Sequence, residues 1–225
     1  DPVVSLDFGR PDLDGAVTEF LIGLAAVAMG PKDLAGWAAI WRAPPAPEVL
    51  QASLAPLTFA FNLCGEGPRC FQDIDELKQT SPTHILHLLI DYPGENALKL
   101  NTDHFNKRDS RCLKGPEAAA ALIMLQTWAP AGGAGIRVSM RGGGPLTTLA
   151  RRSRDLPDGR TEATLWDMIW LNVPQSRERP VLDGKLFPWL DPTRTSTNKE
   201  VVVPDLMHPL HVFFGMPRRI RLEFD

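Results

Sequence analysis

The sequence predicts an α+β domain of mixed helices and short strands joined by long irregular loops, and three observations carry that reading. Two apolar stretches, residues 16–29 and 116–126, have the length and composition of buried helices. Five shorter stretches, 3–8, 57–63, 145–149, 201–203 and 220–224, alternate in polarity or are rich in strand-forming side chains. The 21 prolines and 18 glycines in 225 residues are scattered without a period. That distribution excludes collagen-like and low-complexity chains and leaves a loop-rich globular protein.

Residues 3–8 suit a short edge strand, after which Asp12 or Asp14 caps a helix over 16–29 that Gly30-Pro31 ends. A second helix over 33–41 places Trp37 and Trp41 one turn apart, a pair read as core rather than as a ligand platform. Pro44-Pro45-Ala46-Pro47 is a stiff connector, too short for a domain linker. Gly65-Glu66-Gly67-Pro68 turns the chain after the strand-like stretch 57–63. From Asp91 to Gly115 no periodicity is sustained, and a loop of that length is more often a binding element or disordered than a connector. Pro116 then opens a helix whose alanine-rich first half lets another backbone approach closely. Six glycines between Gly132 and Gly144 make a second irregular segment, followed by the strand at 145–149, a helix over 162–171, and the strand pieces at 201–203 and 220–224. No internal repeat is visible.

The net charge of -3 conceals an asymmetry. Residues 1–98 carry 5 Lys and Arg against 13 Asp and Glu, residues 99–154 carry 10 against 3, and residues 155–225 carry 9 against 11. No carboxylate lies between Glu117 and Asp155, while Arg137, Arg141, Arg151, Arg152 and Arg154 fall in that gap. A basic zone in a near-neutral protein suits an anionic partner at one place, or a solvated basic face. The three cysteines, Cys64, Cys70 and Cys112, are odd in number and form no C-x-x-C pair, which argues against a disulfide framework and suits a reducing, cytoplasmic compartment. The longest apolar stretch, residues 20–29, is short of the roughly 20 residues a membrane span needs. The chain opens Asp1-Pro2-Val3-Val4 with no visible signal peptide, and the true start is expected to have been trimmed.

Chemistry-bearing motifs are few. His84/His87, with Asp91 one turn on, and His208/His211 have metal-compatible spacing, but each first histidine stands where a cap at a helix start is the simpler role. There is no G-x-S-x-G. Gly142-Gly143-Gly144-Pro145-Leu146-Thr147-Thr148 lacks the Gly-Lys-Ser/Thr ending of a phosphate loop. An enzyme acting on a phosphorylated small molecule through this loop would need an acid or base beside the glycines, and the sequence offers none. Three glycines after Arg141 do let a backbone enter a narrow groove or follow a phosphate; a tight turn into a strand is the plainer reading. His104, Phe105, Asn106, Lys107 and Arg108 combine an aromatic ring, hydrogen-bonding groups and two cations, a set able to stack on bases and neutralise phosphates. No catalytic residue, cofactor or metal is assigned.

Seven landmarks in order give a more specific reading: Arg10-Pro11-Asp12 leading to Phe20-Leu21-Ile22-Gly23-Leu24, Pro68-Arg69-Cys70-Phe71-Gln72-Asp73, Pro93-Gly94-Glu95-Asn96, Asp103-His104-Phe105-Asn106-Lys107-Arg108, Met140-Arg141-Gly142-Gly143-Gly144-Pro145-Leu146-Thr147-Thr148-Leu149, Thr164-Leu165-Trp166 and Gly215-Met216-Pro217-Arg218-Arg219-Ile220. With them the chain resembles CasA, the large subunit of the type I-E CRISPR surveillance complex Cascade. The resemblance implies that residues 1–225 are a single N-terminal domain of a noncatalytic, DNA-recognising subunit, with a helical bundle following. It implies that Gly142, Gly143 and Gly144, with Arg141 beside them, approach the minor groove at the protospacer-adjacent motif, and that His104 to Arg108 lies near the guide's 5' end and the DNA entry site. The implied partners are target double-stranded DNA, guide CRISPR RNA, the other Cascade subunits and a helicase-nuclease effector, with no membrane. Family members commonly hold zinc between two C-x-x-C pairs; here Lys114 and Glu117 stand at the first pair's positions, so the zinc is expected to be lost.

Overall fold

The computed structural model describes residues 3–92, 112–130, 138–146, 148–152, 163–176 and 179–224. A 19-residue helix, α1 (Pro11–Met29), organises them. Pro11 starts it where a missing N–H costs nothing, and Asp12 and Asp14 lie in its first turn, where the helix dipole favours negative charge. Leu13, Ala16, Ile22, Ala25, Ala26 and Val27 are all buried, so α1 meets neighbours on several sides. It packs against α3 (Pro47–Leu54), α4 (Gly115–Thr127), α5 (Leu165–Leu171) and the 3-10 helix Pro209–Phe214. Gly23 permits the last of these approaches, since a Cβ there would lie 2.4 Å from the Phe213 Cβ.

The helices at 33–41 and 162–171 form as α2 (Leu34–Arg42), with Asp33 accepting from Gly36 N–H, and α5, with Thr164 accepting from Asp167 N–H. Trp37 and Trp41 stack at 5.6 Å as a core-facing pair, and Trp37 and Trp170 exchange indole N–H donors with each other's backbone carbonyls at 3.2 and 3.0 Å. This joins α2 to α5. Beneath them, Phe71, Phe187, Trp189 and Phe214 are fully buried and meet ring against ring, and the Trp189 indole donates to Ala60 O at 2.6 Å. No single helix among the described residues is long and apolar enough to cross a membrane.

The α+β expectation is overturned. Among the described residues 44% are helical, 1% are in strand or bridge, and no sheet forms. Residues 57–63 are not a strand, because α3 runs on into a 3-10 helix, Ala55–Ala60, whose apolar residues Leu57 and Ala60 turn inward at a spacing of three. Residues 3–8, 145–146, 148–149, 201–203 and 220–224 follow irregular or extended paths without ladder partners. Their buried backbone groups are paired in another way. The Gln72 amide donates to Leu63 O and accepts from Leu222 N–H, at 2.7 and 2.8 Å. The Gln126 amide donates to Phe71 O and Arg218 O and accepts from Arg218 N–H, at 2.9 to 3.1 Å. Both glutamines are 0% exposed; Gln72 serves residues 220–224 in place of a neighbouring strand, and Gln126 serves Arg218 just before them.

A polar clasp closes the same region. Asp73, buried, accepts from the Thr193 hydroxyl and the Arg219 guanidinium, and its own N–H donates to Ile220 O at 2.8 Å. Burial raises the Asp73 pKa, but these hydrogen bonds outweigh it and hold the carboxyl below its ordinary value. The first histidine of each pair is likewise structural. His84 and His208 each use Nδ1 to accept an N–H two residues on, at 3.3 and 3.1 Å, capping the 3-10 helices Ile85–Leu88 and Pro209–Phe214. Asp91 pairs with Arg10.

Two outcomes are expected. Gln126→Leu fills the same space but strands two carbonyls and one N–H, and at about 1–3 kcal/mol for a buried unsatisfied group it should lower stability by at least about 2 kcal/mol in chemical denaturation. The Asp73 contribution is complete above the ordinary carboxylate pKa of about 3.9 and is lost as pH falls through the lower folded value. Asp73→Asn should therefore be less stable at pH 7 and lose less on acidification below about pH 4 than the parent chain.

Candidate nucleic-acid interface

The glycine segment lies where three elements meet. α4 ends at Thr127, and the Trp128 carbonyl just beyond accepts the Gly144 N–H at 2.7 Å. Arg218 gathers the carbonyls of Leu125, Ala129 and Pro130 at that same end, where a cation complements the helix dipole. Gly143 and Gly144 have φ of +95° and +106°, conformations that side chains rarely tolerate. A Cβ on Gly143 would also lie 2.1 Å from the Ala129 carbonyl oxygen. Gly142 differs from both in being exposed and having no positive φ, and, as at Gly144, a Cβ there would meet nothing within 4 Å. It forms the open apex of the loop, with Pro145 exposed on the far side.

Arg141 points inward and is 6% exposed. Its Nη2 lies 2.6 Å from Glu19 Oε2, and Nε and Nη2 both donate to Gly144 O, at 3.0 and 2.6 Å. Nη1 reaches Val212 O at 3.4 Å. The other Glu19 oxygen accepts from Leu146 N–H at 2.7 Å, so one carboxylate from α1 holds the residue before the glycines and the residue after Pro145. Gly215 allows this, since a Cβ there would lie 2.7 Å from the Arg141 Cβ. Three of the sequence landmarks, in α1, around Gly142 and around Gly215, thus converge on one side chain, Arg141.

Of the expected contacts, Arg141, Gly142, Gly143 and Gly144 are brought together, with Gly142 exposed and the guanidinium turned away from solvent. His104, Phe105, Asn106, Lys107 and Arg108 lie outside the described residues, as do Arg137 and Arg154. Arg152 is buried, and Arg151 is exposed. Formal charge counts therefore overstate the positive surface, because they do not record which cations are buried. Glu19 was missed as a member of this site, although a signal existed. It falls on the stripe Ala16, Glu19, Gly23, Ala26, the inward face of an apolar helix, and a carboxylate there requires a cation.

The loop does not offer an anion cradle. A phosphate-binding turn directs successive N–H groups at its ligand, whereas here Gly144 N–H and Leu146 N–H are both taken by internal acceptors. A groove of about 460 Å³ lies elsewhere, lined by Lys185, Arg194, Lys199 and Leu206 among others.

A family model described as CRISPR-associated protein Cse1 matches residues 1–225. No curated protein matches the chain. Among solved structures, one described as the structure of Thermus thermophilus CasA (Cse1) is similar with a TM-score of 0.60 and 19% sequence identity, over 99% of this chain and 44% of that one. The chain thus spans less than half the length of that relative, and at this identity the likeness shows the fold.

The two neighbouring glycines should respond differently to a methyl group. Gly143→Ala combines a left-handed backbone with a clash against Ala129 and should cost about 1–3 kcal/mol. Gly142→Ala, with open space around it, should stay within about 0.5 kcal/mol of the parent chain in thermal denaturation.

Proposed function

Because the chain belongs to the CRISPR-associated Cse1 family, we propose that it is the N-terminal DNA-recognition domain of the large subunit of a Cascade surveillance complex. In this reading the subunit is noncatalytic. It recognises the protospacer-adjacent motif in foreign double-stranded DNA and helps start guide-RNA pairing in antiviral defence, in the cytoplasm. Its partners are target DNA, guide CRISPR RNA, the remaining Cascade subunits and a helicase-nuclease effector.

The observation that carries the proposal is the form of the glycine loop. Gly142 presents bare backbone at an exposed apex, and no carboxylate occurs between Glu117 and Asp155 to repel a phosphate chain. Backbone without side chains is suited to a narrow groove, where bulk is the obstacle and the floor offers acceptors to a donor N–H. Arg141 acts from behind, fixing the loop's shape through Gly144 O while its own charge is balanced by Glu19. The runner-up, a phosphorylated-small-molecule enzyme, is less well supported, since Gly144 N–H and Leu146 N–H are taken by internal acceptors and both Glu19 oxygens are occupied. A purely structural assembly role predicts no salt-dependent DNA binding.

The deciding measurement is duplex binding by the complex reconstituted with the full-length subunit, with and without the motif, at two salt concentrations. Gly142→Asp places a negative charge at the apex without disturbing a neighbour, and should weaken binding of motif-bearing DNA by about tenfold or more with an unchanged melting temperature. Replacing Lys107 and Arg108 together by Ala should weaken all sequences about equally and flatten the salt dependence by roughly one to two units of slope. Phe105→Ala should cost ~1–3 kcal/mol with little salt dependence if its ring stacks on a base. Motif-dependent binding that survives Gly142→Asp would exclude the glycine loop as the reader.

A further inference from the structure

The glycine loop is held at both ends by a single side chain that does not belong to it. We propose that Glu19 is a positioning residue for DNA recognition: its carboxylate presets the loop in the shape that reads the motif. This inference rests on the DNA-reading role proposed above.

Glu19 is 2% exposed and lies midway along α1, among residues otherwise packed by apolar contact. Both of its described hydrogen bonds run to the loop. Oε2 meets Arg141 Nη2 at 2.6 Å and Oε1 accepts Leu146 N–H at 2.7 Å, so the two oxygens bracket the glycine run. Arg141 transmits the restraint into the run itself through two donors on Gly144 O, and Gly144 N–H is tied to Trp128 O. Three glycines in a row would otherwise sample many backbone states, and each state other than the reading one dilutes affinity. A planar guanidinium between a carboxylate and a carbonyl is a directional restraint that a point charge cannot reproduce. The loop is thereby pre-organised while Gly142 remains open.

The test uses the complex reconstituted with full-length subunit carrying Glu19→Gln, Arg141→Lys or Gly142→Asp. Two quantities are read: hydrogen exchange across residues 138–150, and the ratio of affinities for motif-bearing and motif-less duplex at fixed salt. Glu19→Gln removes the charge opposite Arg141. Arg141→Lys keeps that charge and removes the fork to Gly144 O, so it separates loop shape from simple charge balance and serves if Glu19→Gln does not assemble. Both are expected to speed exchange at Gly144 and Leu146 and to reduce the affinity ratio by about tenfold or more, within the usual range of coupling between sites. Faster exchange with an unchanged ratio overturns the positioning role, as does unchanged exchange in the assembled variants. Loss of discrimination in Gly142→Asp alone overturns the inference and leaves the DNA-reading role standing. Retained discrimination in Gly142→Asp removes the DNA-reading role, and the inference falls with it.

Discussion

Every backbone N–H and C=O taken out of water needs a partner, and this fold has no sheet among its described residues to supply them wholesale. That constraint explains the unusual inventory of buried polar side chains: Glu19, Gln72, Asp73, Gln126, Arg141 and Asp167 are each at most 6% exposed. Gln72 and Gln126 are the clearest cases. A primary amide carries a donor and an acceptor on one rigid group, so it can sit between two irregular chains and satisfy both, much as a strand would. The aromatic cluster supplies the burial, and these amides make that burial tolerable for the backbone around it.

The glycine loop applies the same solution to a segment that must remain partly exposed. A loop meant to meet a partner with its backbone cannot also be stabilised by its own side chains, since it has none. Its restraints come from outside, from Glu19 on α1, the Trp128 carbonyl beyond α4 and the guanidinium of Arg141. The ion pair is costly to bury, and replacing it with apolar groups of equal volume would be close to neutral for stability in many proteins. What such groups would not reproduce is direction. The fork between Glu19 and Gly144 O specifies one loop geometry, and a greasy contact specifies a volume.

The helices were legible because their signals are local. Asp33 before α2, Thr164 before α5 and Pro116 inside the start of α4 announce themselves within a few residues, as does the stacked pair Trp37 and Trp41. The strands were misread because alternation and β-branching report a half-buried extended chain, not the presence of a neighbour to pair with. Residues 220–224 are extended and inward-facing in part, yet their partners are the Arg69 and Gln72 side chains and the Asp73 backbone N–H, more than a hundred positions earlier. In the candidate site, the glycine run was found by composition, and the inward turn of Arg141 was not, because its cause is a carboxylate 122 positions away. The loop of residues 104 to 108 lies outside the described part of the chain.

The clasp between residues 72–73 and 218–222 also sets an order of events in the cell. Leu222 N–H reaches Gln72 across 150 positions, and Arg218 N–H reaches Gln126 across 92. Contacts of such separation close late and slowly. A ribosome moving at about 5–20 residues per second needs about 10–40 s to travel the roughly 190 residues from the end of α1 to Leu222. Through that interval the apolar face of α1 around Phe20 and Gly23 waits for Phe213 and Phe214, which have not yet been made. Apolar surface left open over such an interval is what makes a nascent chain prone to aggregate before its late contacts form.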